Sequence, residues 1–131
     1  MILYVDAGWV LNVQVEVSPV NTPVRDWGAL HCMTERHRYE RFSGEPYYEE
    51  AAARAATFLH TSLILEPFSD YNATIGAACA RMYMEESGEP ITPPPGGMVK
   101  LVREIREIRE IREIGGFRLG ETARRLRDWA D

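Results

Sequence analysis

The chain is poor in cysteine, in long apolar runs and in surplus positive charge. It carries two cysteines, Cys32 and Cys79, in 131 residues, and their spacing fits no zinc or redox motif. A disulfide-framed fold is excluded, and the pair reads as buried free thiols in a reducing compartment. No stretch approaches the ~20 apolar residues of a membrane span. The opening segment, Met1 to Asp6, has no basic region and its apolar run stops at Asp6, which is unlike a signal peptide. A cytoplasmic location is therefore expected, with no membrane partner. The formal net charge of -5 argues against an electrostatic nucleic-acid binder. The arginines near the end of the chain, Arg118, Arg124, Arg125 and Arg127, are diluted by Glu121, Asp128 and Asp131 and read as a solvated helix face.

What is present is an ordinary globular composition, 45% hydrophobic and 27% charged, which excludes a disordered chain. The length suits one domain, residues 1–131, around one core. After a short extended segment at 2–5, Asp6 predicts a helix N-cap. Trp9, Val10, Val13 and Val17 then fall at helical spacing until Ser18-Pro19. Asp26 predicts a second cap, with Leu30, Met33 and Trp27 facing inward to about Glu35. Residues 36–46 read as a loop or short hairpin flap carrying Phe42. Tyr47 to Leu65 is alanine-rich and almost wholly apolar after Arg54, the pattern of a central buried helix. A second buried helix is predicted from Asn72 to Ser87, with Ile75, Ala78, Cys79, Met82 and Tyr83 at core spacing and Gly88 as its stop. A last helix is predicted over Leu119 to Trp129, with Ala123, Leu126 and Trp129 inward. The fold class expected is all-α, built around two buried central helices.

Between these elements, Arg-Glu-Ile repeats four times over Arg103–Ile114. An apolar residue every third position steps ~60° short of a full helical turn. The stripe therefore winds around the helix and cannot stay on one face. Such a helix suits a partner or self-association; a repetitive insertion without consequence is the other reading.

The junction of the two buried helices reads Glu66-Pro67-Phe68-Ser69-Asp70-Tyr71-Asn72-Ala73-Thr74. A helix beginning directly after a tight turn offers unpaired N–H groups to an anion, phosphate above all. The loop resembles the signature of the Fic/Doc (death-on-curing) family, His-Pro-Phe-x-Asp-Gly-Asn-Lys-Arg-Thr. Pro67, Phe68, Asp70 and Asn72 match in spacing. The likeness extends to Tyr48-Glu49-Glu50-Ala51-Ala52 before the loop and to Ala77-Ala78 through Gly88 after it. It also takes in Arg25 to Leu30 and Glu121 to Leu126. The resemblance implies a Fic/Doc-like helical bundle. It also implies transfer of AMP or a phosphoryl group from a nucleotide to a protein hydroxyl, with Mg²⁺ and ATP or another nucleotide as cofactors. An antitoxin or a protein target would be the partner.

Carried over by position, Asp70 would hold Mg²⁺, and Asn72, Ala73 and Thr74 would lie along the phosphates. Glu66 stands where the family has its catalytic histidine. As a base it is weak at an ordinary carboxylate pKa of about 4.3. Thr74 replaces an arginine and cannot supply its bidentate grip. Ala73 replaces a lysine or glycine. Tyr71 replaces a small residue at a point of close backbone approach. Ordinary transfer is therefore expected to be absent or slow. Three functions remain open: a toxin-type protein with lost or altered transfer, a pseudoenzyme acting through protein contact, and a diverged enzyme for another phosphorylated ligand. His60, on the buried helix, reads as a core residue or a substitute base; His31 and His37 read as surface groups.

Overall fold

The computed structural model describes residues 2–111 and 119–131, with residues 108–111 described by their backbone only. It is all-helical, with six α-helices, one 3-10 turn and isolated β-bridges but no sheet among the described residues. The helices are α1 (Ala7–Val17), α2 (Trp27–Glu35), α3 (Ala51–Leu65), α4 (Asn72–Glu86), α5 (Gly97–Ile111) and α6 (Leu119–Asp128). No helix among the described residues is long and apolar enough to cross a membrane.

The first two helices start where their aspartates dictate. Asp6 and Asp26 sit in extended backbone, and their carboxylates accept from the amides of Trp9 and Ala29, each at 3.0 Å. A cap of this kind is worth about 1 kcal/mol. The central helix is α3, with twelve of its fifteen residues buried. It begins at Ala51, four residues later than the sequence suggests. The Tyr47 amide donates instead to the Tyr39 carbonyl at 2.8 Å, and Glu50 stays extended. Along α3 runs α4. Their approach is close enough that a β-carbon on Gly76 would overlap the Ser62 side chain. Gly88, at φ +82, ends α4, and the following amide of Glu89 returns to the Met84 carbonyl at 2.9 Å. From the other side α6 buries Thr122, Ala123 and Leu126, and Thr122 meets His60 of α3 at 2.6 Å.

In α5 the winding stripe behaves as its period requires. Val99 is 63% exposed, Val102 is half-buried and Ile105 is buried beside Leu101. The later part of the Arg-Glu-Ile repeat, with its proposed self-association surface, lies outside the described residues. One contiguous cluster, running from Val5 to Leu126, forms the core.

Three local expectations are corrected. His37 is not a surface group: it is 1% exposed. The 3-10 turn Arg36–Arg38 carries its ring against Phe58 and Tyr83, at centroid distances of 4.9 and 5.7 Å. Trp27 stays 64% exposed because the buried face of α2 begins only at Ala29. Cys32 is exposed, being off the face made by Ala29, Leu30, Met33 and Thr34, whereas Cys79 is buried. The segment expected as a loop or short flap is in keeping with that reading, a turn closed by a single antiparallel bridge, Glu40 to Pro46. Inside it the Arg41 amide donates to the Glu45 carbonyl at 2.7 Å, and Phe42 is fully exposed.

Candidate functional site

The α3–α4 junction joins the two central helices and is stapled to the segment before α2. The Pro67 carbonyl accepts from the amides of Arg25 and Asp26 at 2.8 and 3.1 Å, and the Ser69 amide donates to the Pro23 carbonyl at 3.0 Å. Val24 and Phe68 form an antiparallel bridge, and the Phe68 side chain is wholly buried. Pro67 and Phe68 therefore fix the backbone route of the loop, one through its carbonyl and the other through its bridge and burial.

The route requires two left-handed residues that are not glycine. Glu66, the C-cap of α3, has φ 48, and Tyr71, the N-cap of α4, has φ 61. Each costs about 1–2 kcal/mol relative to an ordinary conformation. Around Glu66 the cost is offset by Arg25, whose guanidinium donates to the Leu65 carbonyl at 2.8 Å and to the Glu66 carbonyl at 2.6 and 3.0 Å. A cation at this position also complements the negative end of α3.

Of the residues expected to carry chemistry, Glu66 and Asp70 are exposed at opposite ends of the turn. Asp70 accepts from the Tyr71 amide at 2.8 Å. Asn72 is committed inward. Its Oδ1 accepts from the Phe68 amide and its Nδ2 donates to the Phe68 carbonyl, both at 2.9 Å. The carboxamide thus satisfies a whole peptide unit of the loop. Ala73 packs half-buried on the core and Thr74 is exposed. No side chain caps α4, so the amides of Asn72, Ala73 and Thr74 have no intrahelical acceptor. Among the described residues there is no group of three or more histidine, cysteine or acidic side chains arranged to hold a metal ion.

His60 does not serve the loop. Its Nε2 shares a hydrogen with the Thr122 hydroxyl on the far side of α3. Burial, with a smaller push from Arg36, lowers its pKa to about 4. His37 is likewise lowered to about 4, chiefly by burial. Its Nε2 accepts from the Val5 amide at 3.0 Å, so Nδ1 carries the proton. Nδ1 lies toward the Thr34 carbonyl without completing a hydrogen bond.

Sequence reasoning did not assign the contacts made by Arg25 or Arg54. Arg54 is 5% exposed. It donates to the Tyr83 hydroxyl at 2.7 Å and to the Tyr48 and Glu49 carbonyls at 2.9 and 2.8 Å. A lone charge inside an alanine-rich helix was the available signal. Behind Leu65, a cleft of ≈ 400 Å³ opens between the ends of α2 and α3; it also went unread, because its walls come from three separate segments.

No family model matches this chain, and neither a curated protein nor a solved structure does.

Proposed function

We propose that this chain is a Fic/Doc-like, toxin-type protein that has lost nucleotide-dependent transfer and acts through protein contact, with an antitoxin or a target protein as its partner. The observation that carries the reading is the Asn72 carboxamide, spent on both polar groups of the Phe68 peptide unit. It is the one side chain at the phosphate positions that keeps the chemistry of the resembling family. With it turned inward, only backbone amides, Ala73 and Thr74 are left to face a nucleotide, and no arginine or lysine stands among residues 66–75. Glu66 at the histidine position adds negative charge where triphosphate would lie, which disfavours approach further.

A second reading rests on the bare start of α4. Three unpaired amides at a helix N-terminus favour an anion, so a diverged enzyme for another phosphorylated ligand would use them. Thermal unfolding with ATP and Mg²⁺, and separately with inorganic phosphate, tests both. A ligand at 100 times its Kd stabilises the folded state by about 2.7 kcal/mol. The contact-protein reading expects no shift with ATP and Mg²⁺ and no label transferred from ATP to protein. A rise in melting temperature with ATP, abolished by Asp70→Ala, overturns it. A rise with phosphate alone favours the second reading.

A further inference from the structure

The cleft behind Leu65 has the composition of a small-molecule site that the signature loop does not use. Its volume, ≈ 400 Å³, falls within the ~300–1,000 Å³ of such sites. Its lining is largely apolar: Tyr39, Ile64 and Leu65, which are 62%, 46% and 40% exposed, all border the cleft. Large apolar side chains left in water side by side mark a surface awaiting a partner. Thr61 closes the inner end; it is 3% exposed and its hydroxyl has no hydrogen-bond partner. A threonine on a helix has two accessible rotamers, so that hydroxyl can turn to meet a polar group.

The guanidinium of Arg36 points to the kind of ligand. Arg36 is half-buried at the edge of the cleft. It forms no ion pair among the described residues, and the one side-chain hydrogen bond it makes there is long, 3.4 Å from Nε to the Tyr48 hydroxyl. Glu35 also lines the cleft, with its carboxylate 4.0 Å from His31 Nε2. A cation beside an apolar cavity, with its Nη donors unspent, matches a molecule with an apolar body and one anionic head.

We infer that this cleft binds a medium-chain monocarboxylate, with the chain on Tyr39, Ile64 and Leu65 and the carboxylate on Arg36. None of residues 66–74 lines the cleft, so its test is separate from the nucleotide test at the loop.

Cys32 supplies the reporter. It lines the cleft and is exposed, whereas Cys79 is buried, with its thiol pushed well up by burial, and does not react. The rate of Cys32 alkylation by iodoacetamide is measured against rising decanoate, decanol and decyltrimethylammonium, with circular dichroism confirming an unchanged fold. Decanoate slows alkylation to a saturating limit. Decanol, lacking the charge-assisted bond, needs about ten-fold or more higher concentration, and the ammonium gives no protection. Arg36→Gln weakens decanoate by a similar factor. Ile64→Glu, a change at an exposed position, abolishes protection by placing a carboxylate in the cleft. Absence of protection by decanoate overturns the inference, and so does equal protection by all three head groups. Protection undiminished in both variants overturns it too, as does an acidic peptide protecting where decanoate fails.

Discussion

The inward commitment of Asn72 makes a quantitative prediction that separates a structural from a ligand-binding residue. In Asn72→Ala, the Phe68 amide and carbonyl lose their partners together, in a loop whose phenylalanine is wholly buried. Each partly buried orphan costs about 1–3 kcal/mol, less where water reaches it. The sum is roughly 2–3 kcal/mol, a large fraction of a stability of about 5–15 kcal/mol. For a domain of this size that corresponds to a fall in melting temperature of roughly 6–12 °C. Asn72→Asp keeps an acceptor for the Phe68 amide and adds a negative charge at the start of α4, worth about 0.3–1 kcal/mol. It places a carboxylate against the Phe68 carbonyl, however, so its loss is smaller than that of alanine but not zero. Urea unfolding of wild type, Asn72→Ala, Asn72→Asp and Asp70→Ala, read by the Trp9 and Trp129 environments, orders the three. Asp70→Ala removes one contact at an exposed position and is expected within about 0.5–1 kcal/mol of wild type. If Asn72→Ala costs less than about 0.5 kcal/mol, the carboxamide is not a brace, and the reading that it is unavailable to phosphate falls.

Two further predictions concern the core. His37 and His60 are held neutral with pKa values of about 4, so between pH 6.5 and 4 the unfolded chain binds more protons and stability falls as pH falls. Equilibrium unfolding should show a loss of roughly 3–4 kcal/mol from pH 7 to pH 5 for the two together; a change under about 1 kcal/mol contradicts their buried, neutral state. Gly76→Ala gains about 1 kcal/mol of helix propensity but forces a β-carbon into Ser62 of α3, an overpacking cost of about 1–3 kcal/mol. A net destabilisation, relieved when Ser62→Gly is added, supports the close α3–α4 crossing, and a stabilised single variant refutes it.

The sequence made the helices legible where local chemistry decides them. Asp6 and Asp26 are capping residues in fact as in pattern, and Gly88 takes the positive φ a helix stop requires. The buried character of α3 followed from its composition, since a helix apolar on nearly every side has no solvent face to offer. The start of α3 was not legible, because Tyr47-Tyr48 have adequate helix propensity and lose to the Tyr39–Tyr47 backbone pairing across a turn. His37 was misplaced for a similar reason. A histidine between two arginines looks solvated until a single 3-10 turn brings it under the Val5 amide and the Phe58 ring. In the candidate site, the positions of Pro67, Phe68, Asp70 and Asn72 could be read from spacing, but the direction of the Asn72 side chain could not. It depends on which backbone groups the loop leaves unpaired, and that is set by the distant staple to residues 23–26.

That staple explains how the turn holds a path that its own residues do not favour. Two left-handed non-glycine residues within six positions are unfavourable by about 2–4 kcal/mol, and nothing in Glu66 or Tyr71 themselves favours such backbone. The offsetting contacts come from elsewhere: three donated bonds from Arg25 to the end of α3, three backbone bonds to residues 23–26, the Asn72 clamp and the burial of Phe68. None of these needs a phosphate, a metal ion or a nucleotide to complete it. A turn that depended on a ligand would leave the polar groups of its backbone pointing at the ligand's place, as the bare amides of α4 do at one edge only. The conformation of residues 66–71 is thus a property of the packed core and of Arg25.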